Sequence, residues 1–568
     1  MSASRIALLS LLTACVGSSS KDDDSGADTG ATEDTAVPPD STTHPGGVLS
    51  GGATWAGGTH ILETSLIIEE GVLELAPCTT LLMPAAGSIT LRNNGALRAV
   101  GTPDCPVTIQ SGLGTPAAGD WAYIEIYADA DGGSTVFQHA VVLHGGGAGF
   151  GALWLDGGAT AQITDTRVAL SADHGVEAED GAFLRDFTGN KLEDNTLTGA
   201  AVSANDADQL LAGTYGPNDA PGITLFSAVV DHDATWLTHD EPWMADDGFT
   251  VGDGENDARL SLGAGAVLAF GDGVEIAVRE RGALAVRGTA DAPALLTTTK
   301  STGAPGDWGG IAYYAGSIDA DNVLQHTAIR YGGGLGFGAV WVDSGASVSI
   351  QDSSITDSAD HGVEVEGDGA LGAFAGNTLS DNALHGIIVS PDVAASLDAG
   401  TYGPNGAEGI AVRNGILPTN ATWQALGVPW VAEDGFVVRA SGSSATLTLA
   451  AGNTLRMGPN AILSVESGGA FVSAGTAAAP NRIESSLAAP SAGDWGEIDL
   501  YDPSMGSNAL RYTTVSHGGG LGYGQLWVDG GAAVTLDHAT FTDGLECDVQ
   551  VEPDGVVSAT ASVYTLCR

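Results

Sequence analysis

Short apolar runs alternate with turn-forming residues along most of the chain. Ala339-Val340-Trp341-Val342 is followed 23 residues later by Gly362-Val363-Glu364-Val365, and Gly386-Ile387-Ile388-Val389 comes another 24 residues on. Each run is rich in β-branched residues and bounded by Gly, Asp, Asn and Ser, the pattern of strands between turns. A coil of 23–24 residues that stacks on copies of itself predicts an all-β, parallel β-solenoid. At about 4.8 Å between stacked strands, some 20 or more coils make a rod of roughly 100 Å.

A longer period overlies this one. Ala118-Gly119-Asp120-Trp121 returns as Pro305-Gly306-Asp307-Trp308 and as Ala492-Gly493-Asp494-Trp495, 187 residues apart both times. His144-Gly145-Gly146-Gly147 returns as Tyr331-Gly332-Gly333-Gly334 and His517-Gly518-Gly519-Gly520, each followed by a Trp-x-Asp strand at Trp154, Trp341 and Trp527. Thr214-Tyr215-Gly216-Pro217-Asn218 recurs as residues 401–405. These blocks define units at 48–222, 223–409 and 410–568, the last truncated before the Thr-Tyr-Gly-Pro-Asn block and closing the rod.

Strand alternation sorts side chains into those inside and outside the coil. With Ile124 and Ile126 inside, Trp121, Tyr123, Glu125 and Tyr127 are expected outside, and Trp495, Glu497, Asp499 and Tyr501 likewise around Ile498 and Leu500. Leu153 and Leu155 inside place Trp154 and Asp156 outside; Trp341 with Asp343, and Trp527 with Asp529, follow suit. One coil on, Glu177, Glu364 and Gln550 take the matching outer position. Each unit is therefore expected to present an acid or amide beside a Trp on one face, a surface suited to sugars through stacking and polar contacts. The competing expectation is packing, with a loop such as residues 144–151 folded over the Trp.

The first residues carry an address. Met1 to Ala14 has one Arg, an apolar run from Ile6 to Leu12 and small residues before Cys15, the order of an export signal. The run is far short of the roughly 20 residues of a spanning helix. Leu12-Thr13-Ala14-Cys15 resembles the lipobox of bacterial lipoproteins, which implies cleavage before Cys15, lipidation of its sulfur and stable anchoring by several acyl chains in the outer membrane of a Gram-negative cell. Residues 15–47, opened by Asp22-Asp23-Asp24 and rich in Thr, Ser and Pro, lack a hydrophobic period and read as a disordered acidic tether.

Composition narrows the partners. The 568 residues hold 70 Asp+Glu against 19 Lys+Arg, a net charge of −51, which excludes nucleic acid and disfavours anionic lipid surfaces. With 43% hydrophobic residues and 83 glycines, the chain after the tether is globular and turn-rich rather than disordered.

Blocks such as Leu260-Ser261-Leu262-Gly263-Ala264-Gly265 and Gly306-Asp307-Trp308-Gly309-Gly310-Ile311 resemble those of right-handed parallel β-helix repeat proteins of bacterial surfaces. The resemblance covers nearly everything after the tether and implies the handedness, in line with the rule for parallel crossovers. Pectin- and alginate-cleaving enzymes share this architecture, so a polysaccharide lyase or hydrolase is the enzyme alternative. The Gly-His-Gly turn and basic Arg-x-Lys segment that the resemblance implies for hydrolases are missing, and the net charge repels polyuronates.

Four cysteines remain beside Cys15: Cys78 and Cys105, 27 residues apart, and Cys547 and Cys567, 20 apart. Each spacing is close to one coil, which brings the pair within disulfide reach near either end of the rod. Free thiols are the alternative, and the absence of a CxxC spacing argues against zinc. Asp129-Ala130-Asp131-Gly132 and Asp253-Gly254-Glu255-Asn256-Asp257 could offer oxygens to calcium, though neither completes an EF-hand loop. Asp173-His174-Gly175-Val176-Glu177 and Asp360-His361-Gly362-Val363-Glu364 hold acid and base types, but turn chemistry explains Asp and Gly, and the third unit has no His there. The sequence thus predicts a lipid-anchored, non-enzymatic rod for adhesion, surface architecture or glycan or surface-protein binding, with a carbohydrate-active enzyme or a passive spacer as alternatives.

Overall fold

The computed structural model describes residues 41–442, 444–501 and 508–567. The export signal, Cys15 and most of the expected tether lie outside the described residues. The coil begins earlier than the boundary at 48: strand Ser41–His44 pairs in register with Gly58–Leu62, and Gly47–Ser50 with Leu66–Glu69, so the end of the segment read as tether is already sheet.

From there the chain winds a parallel β-helix of about 20 turns. Each full turn gives one short strand to each of three sheets, and every strand ladder in it is parallel. Inward Leu, Ile, Val and Phe stack turn on turn into one continuous apolar core from Leu62 to Val549. Burial of these side chains is the main stabilising term. Asparagines secure the corners. Asn190 accepts from Thr166 N–H at 3.1 Å and donates to Ile163 C=O at 2.7 Å, and Asn377 repeats this with Ser353 and Ile350.

The described residues form seven sheets, numbered here in chain order. In the first unit each turn runs through sheets 1, 2 and 3, which begin at Ser41–His44, Gly47–Ser50 and Ala53–Trp55. Sheet 1 ends at Lys191–Glu193. In the following turn a 3-10 segment, Ala207–Gln209, stands in for the third strand, and only a bridge from Thr214 to Lys191 remains of the first. Ile223–Phe226 then pairs with Ala200–Ser203, so sheet 2, the second station of each turn in unit one, becomes the first station of unit two. Sheets 4 and 5 open at Val229–Val230 and Ala234–Trp236.

The same exchange recurs one unit later. Val393–Ser396 and the Thr378–Thr401 bridge precede Ile410–Val412, which extends sheet 4; sheets 6 and 7 open at Ile416–Leu417 and Ala421–Trp423. The Thr-Tyr-Gly-Pro-Asn block sits at each exchange. Buried Tyr215 and Tyr402 donate to Leu211 C=O and Asp398 C=O at 2.7 and 2.6 Å, and Asn218 and Asn405 accept from Asn195 N–H and Asn382 N–H at 3.0 Å.

Two disulfides staple the coil. Cys78 joins Cys105 and Cys547 joins Cys567, with Cα atoms 4.7 and 6.2 Å apart. The second ties the final strand, Leu566–Cys567, to the turn before it.

Candidate functional site

The repeat-equivalent tryptophans divide into two sets. Trp121, Trp308 and Trp495 are fully buried, which corrects the outside placement expected for Trp121 and Trp495. Their strands are only Ile124–Ile126, Gly310–Tyr313 and Ile498–Leu500, so the Trp precedes the strand at a corner, where alternation does not hold. Each indole N–H donates to a carbonyl of the next turn: Leu143, Arg330 and Ser516, at 2.8, 2.7 and 2.8 Å. The Gly-Gly-Gly block closes over them. A Cβ on Gly147 would lie 2.2 Å from Gly119 C=O, so the Gly-Asp-Trp and Gly-Gly-Gly blocks recur together because their backbones touch.

Trp154, Trp341 and Trp527 do face outward and are half-buried. Each is paired in register with the equivalent residue of the turns on either side: Glu125 and Glu177, Ala312 and Glu364, Asp499 and Gln550. The glycine-rich loop does fold back, but it adds an aromatic ring to the surface. Phe150 stacks on Trp154 with centroids 3.9 Å apart, Phe337 on Trp341 at 4.7 Å and Tyr523 on Trp527 at 4.3 Å. Phe337 and Tyr523 remain 41% and 36% exposed and form the outer layer of their plates, whereas Phe150 is half-buried. Tyr123 and Tyr314 meet Trp154 and Trp341 edge-on at 5.3 Å.

The acids beside these plates hold the loop. Glu177 accepts from Gly151 N–H at 2.7 Å, Glu364 from Gly338 N–H at 2.8 Å, and the Gln550 side-chain carbonyl from Gly524 N–H at 3.2 Å. A Cβ on Gly151 would meet the Glu177 Cβ at 2.8 Å, which accounts for glycine on the C-terminal side of the ring. Burial pushes the Glu177 carboxyl up to about 7, against the opposing Gly151 N–H, and raises Glu364 for the same reason. Asp156, Asp343 and Asp529 cap the turns after the Trp strands by accepting from Gly157, Ser344 and Gly530 N–H at 2.9, 2.7 and 2.6 Å. Trp154 and Trp527 donate to Glu179 and Glu552 at 3.1 and 3.4 Å, whereas Glu366 lies 3.6 Å from Arg413 and the Trp341 N–H has no acceptor.

The plates do not form a row on one face. Trp154 lies on sheet 2, Trp341 on sheet 4 and Trp527 on sheet 6, because the second station of each turn moves to a new sheet at every unit boundary. Seven turns separate successive plates, about 34 Å along the axis.

The remaining candidates resolve into turn chemistry. Asp173 and Asp360 cap His174 and His361 N–H at 2.8 and 2.7 Å. His174 Nδ1 shares a hydrogen bond with Thr198 Oγ1 at 2.8 Å, and burial holds His361 down to about 4. Asp131 and Asp253 accept from backbone N–H groups two or three residues on, and no group of three or more His, Cys, Asp or Glu side chains converges on a metal position among the described residues.

The sequence matches no protein-family model, and no curated protein matches it significantly.

Proposed function

We propose that the chain is a cell-surface rod, exported and lipid-anchored through Cys15, that binds glycans without cleaving them. One observation carries the reading: a Phe or Tyr ring seated flat on an outward Trp, repeated in all three units. A stack of two aromatic rings held at a fixed tilt presents a preorganised apolar plate to the C–H face of a sugar. The core needs none of these outer rings, since Phe150, Phe337 and Tyr523 are absent from it.

Glycoside hydrolysis is the second reading, and one feature of the third unit favours it. Glu497 and Asp499 carry carboxyls pushed up by burial to about 7 and 6, each with one buried oxygen lacking a partner; Asp499 pairs in register with Trp527, and Glu497 immediately precedes the Asp499 strand. Raised carboxyls beside an aromatic platform suit acid–base work on a glycosidic bond.

A panel of insoluble polysaccharides separates the readings. The expected result is retention of the protein without release of reducing or unsaturated ends, abolished by replacing Phe150, Phe337 and Tyr523 with Ala. Product formation lost in Glu497→Gln would establish the hydrolase, and no retention on any polymer would leave a spacer.

A further inference from the structure

Sheet 4 carries more than a plate. Its outward column runs in register through Trp341, Glu364, Ile388, Ala411, Val431, Arg456 and Glu484. Two adjoining hollows of about 480 and 500 Å³ lie over it and share His385, Ala407, Val431 and Glu433. Together they form a trough that starts at His361, in the turn of Glu364, with half-buried Ile388 and the buried side chains of Ala411 and Val431 as its floor. Six ladder steps, about 29 Å, separate Trp341 from Glu484.

The polar lining of this trough is not required by the fold. The residues 187 positions earlier, at the first unit boundary on sheet 2, are Thr198 for His385, Pro221 for Glu408, Phe226 for Arg413, Ala269 for Arg456 and Thr297 for Glu484. The same turns therefore close with neutral side chains at every one of these places. The acids at Glu433 and Asp434 do have acidic counterparts, Asp246 and Asp247, and His361 has His174, so the additions peculiar to the second boundary are His385, Glu408, Arg413, Arg456 and Glu484.

Its charge selects a ligand. Arg413 is paired with Glu364 and lies 3.6 Å from Glu366. Arg456 lies 2.7 Å from Glu408 and 3.4 Å from Glu484. Both cations are thus already met by two carboxylates each, and Glu433 and Asp434 add further negative charge along the wall. Burial holds His361 and His385 below the ordinary imidazole range, so they add hydrogen-bonding rings rather than charge at neutral pH. A polyuronate or sulfated chain would be repelled, and a polymer with ammonium groups would be drawn in.

We infer that sheet 4 binds a linear amino-sugar glycan with unsubstituted, cationic amino groups, laid along the rod from the Phe337–Trp341 plate across the Ile388–Ala411–Val431 floor to Glu484. The inference rests on the plate reading and names the substrate class of one plate. The full-length chain in non-ionic detergent would be titrated calorimetrically with a glucosamine hexamer, its fully N-acetylated counterpart and the glucosamine dimer. The expected result is about tenfold tighter binding of the glucosamine hexamer than of either other probe, from several weak ammonium–carboxylate contacts. That preference should vanish in Glu433→Gln/Glu484→Gln and in Ala411→Trp, which fills the floor, and persist in Phe150→Ala/Tyr523→Ala. Equal affinity for the two hexamers, or a preference that survives both trough variants, overturns the inference while leaving the plates intact as neutral-sugar sites. A preference that persists in Phe337→Ala/Trp341→Ala overturns the run from plate to trough and counts against the plate reading as well.

Discussion

Phe150 lies on Trp154 with its ring 12° from parallel and its centroid 3.9 Å away, although the two are only four residues apart in the chain. The geometry is imposed from the neighbouring turn, where Glu177 holds the loop by the Gly151 N–H. The ring is therefore a placed surface group rather than a packing remainder. Replacing Phe150 with Ala should weaken glycan binding at that plate about tenfold while changing stability by less than about 1 kcal/mol. Calorimetric titration and thermal unfolding of the variant check the two halves.

The loop needs an acceptor, not a charge, because Gln550 does in the third unit what Glu177 and Glu364 do in the first two. Glu177→Gln should keep the loop closed, and Glu177→Ala should open it at a cost of about 1–2 kcal/mol. Hydrogen exchange at Gly151 N–H reads the difference directly.

Stability carries a pH signature. Glu177 and Glu497 are pushed up to about 7, and Asp206 and Asp499 to about 6, chiefly by burial. Between their ordinary values and about pH 7 the folded chain keeps protons that the unfolded chain has released, so these groups lower stability as pH rises through that window. His361, held near 4, acts oppositely between pH 4 and 6.5. Glu497→Gln removes one falling contribution and should raise the unfolding midpoint at pH 8 by at least about 1 °C while leaving it nearly unchanged at pH 4.

Among the described residues the strand Leu566–Cys567 pairs only with Val549–Val551 and lies at the end of its sheet, so it depends on its staple. Cys567→Ser should let it fray, a local loss on the order of 2 kcal/mol, or about 30-fold in amide exchange over residues 560–567. Exchange upstream of Ala533 should not change.

Architecture was legible because a solenoid writes its period into the chain: the 23–24-residue coil, the 187-residue repeat and the disulfide spacings all follow from stacking. Two things were not. One is the burial of Trp121 and Trp495, because alternation does not extend past strands three residues long into the corners. The other is the sheet on which each outward Trp falls, because the repeat preserves a residue's station in its turn, not its sheet; the exchange at Ile223–Phe226 rests on which ladder the strand joins. The rings of Phe150, Phe337 and Tyr523 did leave a signal. Each is the aromatic in a Gly-aromatic-Gly triplet four residues before the outward Trp.

The most direct test is the stoichiometry of a short glycan that can occupy one plate at a time, measured by calorimetry on the full-length chain. Three plates on three sheets predict three equivalents bound per chain, falling to two in each of Trp154→Ala, Trp341→Ala and Trp527→Ala. No binding by the folded wild type, or full binding retained when all three are replaced together, would contradict the account.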